Sequence, residues 1–184
     1  WRQILSEGGG GSLADLGSHC MDLLEFVFES PVREVCSFQA TLAQDYSVED
    51  SAVALLRFEN GALGTVDCCF SVPDDSSRNR LEIYGSAGSL LAEGTIGQSP
   101  LGRMTACFSP QTDYDANQSR QTQQGTVEIH ESPTPMYAAE FDHFAAAVLD
   151  EKPLEISEEE GLRSMRLLEA CYRSARESTV VKLS

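Results

Sequence analysis

Between two apolar runs, 52–58 and 63–72, the chain reads Phe58-Glu59-Asn60-Gly61-Ala62-Leu63. Asn-Gly flanked by such runs is the strongest short-range hairpin signal, because both residues tolerate positive φ. The pattern returns around Gly85-Ser86-Ala87-Gly88, with Leu81 to Tyr84 on one side and Ser89 to Glu93 on the other. Val32 to Leu42, following Ser30-Pro31, reads as a further strand, and short strands are expected at Met104 to Phe108 and Thr126 to His130. Consecutive hairpins lead to an α+β fold: a largely antiparallel open sheet with helices on one face.

Three segments supply the helices. Leu13, Leu16, Cys20, Leu23 and Val27 recur at helical spacing and predict one buried stripe. Tyr137, Phe141, Phe144 and Val148 form an aromatic face expected to lie on the sheet. Ser157 and Glu160 make a capping box for a last helix whose expected stripe is Leu162, Met165, Leu168 and Tyr172. Gln111 to Gln124 is polar and without periodicity, so a long loop is expected there. Residues 1–184 read as one domain, with 41% hydrophobic content sufficient for a core.

Thirteen basic residues against 29 acidic ones leave a net charge of −16, which repels phosphate backbones and anionic lipid, so neither nucleic acid nor membrane is an expected partner. Six cysteines, none in Cys-x-x-Cys spacing, fit reduced thiols and a cytoplasmic location. No basic leader or long apolar run suggests a signal peptide or a transmembrane segment. A start at Trp1 rather than Met suggests a fragment of a longer protein.

The candidate chemistry lies near the start. Gly8-Gly9-Gly10-Gly11 runs into a helical pattern on which Asp15, His19 and Asp22 form a second stripe, four and three residues apart. Glycines before a helix let another backbone or a ligand approach its first turn, whose free N–H groups favour anionic or hydroxyl-rich partners. Imidazole as a side-chain type titrates near working pH and suits proton transfer. By itself an Asp/His pair on a helix is more often a satisfied surface pair, and the three side chains also offer metal-ligand atoms. His130, His143, Arg78, Asn79, Tyr114 and Arg120 receive no role.

The run of glycines followed by Asp-x-x-x-His-x-x-Asp resembles the catalytic helix of the glucose-fructose oxidoreductase and inositol dehydrogenase family, Gfo/Idh/MocA. Trp1-Arg2, Glu49-Asp50-Ser51-Ala52, Phe58 to Gly64 and Glu82 to Leu90 resemble further markers of that family's C-terminal domain, covering most of the chain outside 98–128. The resemblance implies a glyceraldehyde-3-phosphate dehydrogenase-like C-terminal domain. It also implies an NAD- or NADP-dependent oxidoreductase acting on a sugar, cyclitol or related polyol. His19 would serve as general acid/base, and Asp15 would assist it and bind substrate. The role of Asp22 stays open between orienting His19 and bonding a nearby donor.

Family members hold the nucleotide in an N-terminal Rossmann domain, and no strand-glycine-helix fingerprint is present in this sequence. The cofactor is therefore expected to sit mainly on a missing N-terminal domain, leaving this chain inactive alone. Glu151-Lys152-Pro153 matches the family's catalytic tripeptide in letters only, since it lies in the loop before the last helix. Apolar residues on both sheet faces, including Val35, Phe38, Val66 and Phe70, together with the family's habit of associating through the sheet, point to a homo-oligomer. The alternatives are a fold-back of 98–128 over the open face and, for function, a non-catalytic sugar-binding or oligomerisation module.

Overall fold

The computed structural model describes residues 1–97, 102–108, 126–129, 135–149 and 152–183. Trp1–Pro73 with Glu155–Ser184 forms one unit and Asp74–Leu154 a second. The fold is α+β, with every strand pairing antiparallel.

The first unit opens with a short helix α1 (Leu5–Gly8), then a π-helical turn at Leu13–Gly17 that runs directly into α2 (Ser18–Phe28). Strands β1 (Val32–Ala40), β2 (Ser51–Phe58) and β3 (Leu63–Cys69) follow. The helix α4 (Glu158–Glu177) and the strand β8 (Val181–Lys182) complete the unit, giving a sheet ordered β3-β2-β1-β8. The β2–β3 hairpin forms at Asn60-Gly61, where only Gly61 takes positive φ (91°) and the Asn60 side chain accepts from the Ala62 N–H at 2.9 Å. Strict alternation along β2 puts Ala52, Ala54, Leu56 and Phe58 inside and leaves Val53, Leu55 and Arg57 outside. Helix α4 lies on β1, and α2 touches both α4 and β3, so both helices cover the same face.

Among the described residues the opposite face of this sheet carries exposed apolar side chains beside the Arg57–Glu34 ion pair. Phe38 pairs with Val53 across β1 and β2, and both are exposed, as are Leu55 and Leu63. Val35 and Val66, by contrast, lie in the core, so the apolar residues of this sheet do divide between its faces.

The buried stripes of both helices differ from the expectation. In the first helix Leu13, Gly17, Met21 and Leu24 are buried, whereas Leu16 and Val27 are exposed and Cys20 and Leu23 half-buried. The cause is the π-turn, closed by the Ser18 N–H bonding to the Leu13 carbonyl. It holds one residue more than an α-turn and moves the inward phase on by one position after Leu13. In α4 the buried residues are Leu167, Ala170, Cys171 and Ser174, while Leu162 and Met165 are exposed. Small side chains line this face because the helix sits close to β1: Ser174 Oγ accepts from the Ser37 N–H at 2.9 Å and donates to the Thr179 carbonyl at 2.6 Å. The capping box at Ser157 and Glu160 forms as expected.

The second unit holds β4 (Arg80–Gly85), β5 (Gly88–Glu93), β6 (Arg103–Phe108) and β7 (Thr126–Ile129) in sequential order, with α3 (Met136–Val148). One face carries a ladder of opposite charges in which Arg80 bridges Glu82 and Glu93, each at 3.2 Å. The expected burial of the α3 aromatic face is not observed: α3 contains no buried residue, and Tyr137, Phe141, Phe144 and Val148 are exposed. No described residue covers that stripe enough to bury it. The loop expected at Gln111 to Gln124 and the residue His130 lie outside the described residues.

Candidate active site

The π-turn places the first site residue and α2 the other two. Asp15 is half-buried, His19 and Asp22 are exposed, and all three lie away from the Leu13, Gly17, Met21 and Leu24 stripe. The Asp15 carboxylate lies 3.5 Å from Arg2 Nε, and the Arg2 guanidinium stands 5.3 Å from the Trp1 ring centre. Asp22 accepts from Ser164 Oγ at 3.4 Å, so it bonds a neighbouring donor on α4. Among the described residues neither carboxylate pairs with the His19 imidazole.

The partner of the glycine-led first turn is the protein itself. The carboxylate of Glu49, two residues before β2, accepts from the Gly11 N–H through both oxygens at 3.0 Å and from the Leu13 N–H at 2.9 Å. The Glu49 backbone carbonyl accepts from the Ser12 N–H at 3.0 Å. Three amides that a helix start ordinarily leaves open are thus taken by one residue, a negative charge at the positive end of the helix. Tyr172 of α4 donates its hydroxyl to the same carboxylate at 2.9 Å. A Cβ at Gly11 would overlap the Glu49 carbonyl oxygen, and one at Gly10 the Tyr172 hydroxyl. The glycines therefore permit contact with another stretch of this chain.

Burial first, and then the bond to the Glu49 carboxylate, raise the Tyr172 hydroxyl well above the usual tyrosine range. Asp50, fully buried beside Glu49, accepts from the Leu42, Ala43 and Gln44 N–H groups and from Ser51 Oγ. The bonds from Leu42 and Ala43 chiefly hold its carboxyl down at about 2. Glu49 thus ties the start of the site helix, and Asp50 the loop at 42–44, to the residues that lead into β2. Sequence reasoning placed both in a family marker without giving either a task. It assigned Tyr172 to an apolar stripe, although a hydroxyl there requires a partner once it is half-buried.

Among the described residues no strand-glycine-helix unit is present: the first glycine run is occupied by Glu49 and Tyr172, and Gly85 and Gly88 pair with each other in the β4–β5 hairpin. Those residues do not suit a dinucleotide pyrophosphate. Nor do three or more His, Cys, Asp or Glu side chains gather closely enough among them to hold a metal ion. No helix of the described residues is long and apolar enough to cross a membrane.

Comparison with known proteins agrees with the fold. A family model described as oxidoreductase family, C-terminal alpha/beta domain, matches residues 1–183. The chain belongs to the Gfo/Idh/MocA oxidoreductase family and corresponds to its C-terminal domain. It is 26% identical over 184 aligned residues to a myo-inositol 2-dehydrogenase of Thermotoga maritima, covering 95% of this chain and 49% of the relative. To a 1,5-anhydro-D-fructose reductase of Ensifer adhaerens it is 28% identical over 106 residues, 57% of this chain and 31% of the relative. The crystal structure of an aldose-aldose oxidoreductase from Caulobacter crescentus complexed with glycerol superposes with a TM-score of 0.80 at 25% identity, over 100% of this chain and 50% of that one. The chain thus spans half or less of the length of these relatives.

Proposed function

We propose that this chain is the substrate-side domain of an NAD- or NADP-dependent oxidoreductase acting on a sugar, cyclitol or related polyol, within a longer protein. The observation that carries this reading is the placement of Asp15 and His19 one turn apart on the core-distant side of a helix whose start is tied down by Glu49. Oxidising a secondary alcohol requires the hydroxyl proton to leave as hydride leaves carbon, and a nicotinamide bound on a separate N-terminal Rossmann domain would supply the hydride-accepting chemistry. His19, exposed and without a carboxylate partner among the described residues, takes the proton. Asp15 orients the polyol through a neighbouring hydroxyl. Its contact with the largely exposed Arg2 is a weak one that a substrate hydroxyl can share or replace. The names of the relatives, an inositol dehydrogenase and an anhydrofructose reductase, support the substrate class.

The open face of the first sheet favours association. Phe38, Val53, Leu55 and Leu63 form an apolar patch that a second copy would cover, so the protein is read as a homo-oligomer. Its reduced, unpaired cysteines suit the cytoplasm. Steady-state assays of the full-length protein with a panel of sugars, cyclitols and polyols, each with NAD and with NADP, test the activity. Turnover is expected with at least one pair. A folded full-length protein that reduces neither nucleotide with any of them overturns the reading.

A further inference from the structure

Glu49 stands on no functional helix, and the proposed chemistry does not require it to touch substrate. It is nevertheless only 9% exposed, and its carboxylate carries four hydrogen-bond contacts from three groups. A buried carboxylate satisfied by three donors is costly to disturb, and each donor left behind would be stranded. What it binds is specific. Two of the donors are backbone amides of the turn that delivers Asp15, and the third is the hydroxyl of Tyr172, 123 residues away. Gly10 and Gly11 admit no side chain between these partners.

The π-turn begins at Leu13, the residue whose amide the carboxylate holds. An α-helical start would bring the following residues round by nearly one position. The same carboxylate therefore anchors the point from which the direction of Asp15 and His19 is set.

We propose that Glu49, oriented by Tyr172, is a positioning residue: its carboxylate fixes the first turn of the site helix and thereby aims Asp15 and His19 at the substrate. This rests on the reading of the chain as the substrate half of a polyol dehydrogenase. Substrate misplacement of about 1 Å costs on the order of a hundredfold in rate.

The test uses the full-length protein with Glu49→Gln, the milder Tyr172→Phe, the double variant and His19→Ala, assayed with the best polyol found. E49Q is expected to lower kcat by roughly a hundredfold and to raise the polyol KM, while the nucleotide KM stays unchanged. Y172F should do the same to a smaller degree, and the double variant should be no worse than E49Q, because both act through one carboxylate. Amide hydrogen exchange at Gly11 and Leu13 should accelerate in E49Q and not in H19A. Loss of folded enzyme alone would lower kcat with both KM values intact, and that pattern overturns the proposal. So does an E49Q variant within twofold of the parent while H19A is inactive. If instead the parent itself turns over no polyol, the dehydrogenase reading is what fails, and an H19A enzyme that turns over like the parent removes only the role of His19.

Discussion

Adding one methyl group at two glycines of this chain is expected to change stability in opposite directions. At Gly11 the new Cβ would overlap the Glu49 carbonyl oxygen, a backbone atom that cannot swing aside. Relief requires the glycine run to separate from residue 49. That separation loosens the Ser12 N–H bond to the Glu49 carbonyl at 3.0 Å and the Gly11 and Leu13 bonds to its carboxylate at 3.0 and 2.9 Å. A neutral hydrogen bond contributes about 1 kcal/mol and one to a charged group about 1.5–3, so the loss is about 4–7 kcal/mol when all three break. The smaller entropy of unfolded alanine returns about 0.4–1 kcal/mol. Gly11→Ala should therefore destabilise by about 3–6 kcal/mol, a large part of an ordinary domain's stability. Gly161 lies in α4 with nothing near its Cβ position, so Gly161→Ala should stabilise by about 0.5–1 kcal/mol. Urea unfolding followed by circular dichroism compares the two variants with the parent. A G11A chain within about 0.5 kcal/mol of the parent would show that the glycine run is not held against Glu49.

The Asp50 carboxyl, held at about 2 against an ordinary 3.8, contributes stability that is complete above pH 4 and is lost as the pH falls through 2. Equilibrium unfolding between those values should show a downward slope on acidification that is shallower in Asp50→Asn; an equal slope in both refutes the assignment. On the open sheet face, Leu55→Glu should convert a homo-oligomer into a monomer without altering secondary structure, as read by light scattering at high micromolar concentration. A parent protein that is already strictly monomeric there removes the basis for the interface.

Much of the fold was legible because its signals are local. The Asn60-Gly61 hairpin, the strands on either side of Gly85-Ser86-Ala87-Gly88 and the Ser157–Glu160 capping box each depend on residues close in sequence, and each stands where the pattern put it. The helix faces were less legible for physical reasons. A π-turn between Leu13 and Gly17 shifts the period that hydrophobic spacing assumes. Beside Leu167 the buried side of α4 presents Ala170, Cys171 and Ser174, small residues whose value lies in close approach to β1, a property that apolar counting ranks below Leu162 and Met165. At the site, Asp15, His19 and Asp22 could be picked out because one helix carries them all. Glu49 and Tyr172 could not be joined to them, since a carboxylate 38 residues from Gly11 and a hydroxyl 123 residues from that carboxylate meet only in the folded chain.

Whether His19 moves the substrate proton is read from the pH dependence of kcat/KM in the full-length protein. Removing the proton acceptor in His19→Ala should lower kcat/KM by about 10²–10⁴-fold and abolish the acid limb that general-base catalysis gives the parent's profile. A His19→Ala enzyme with the parent's acid limb and a rate within threefold of the parent would contradict the assignment.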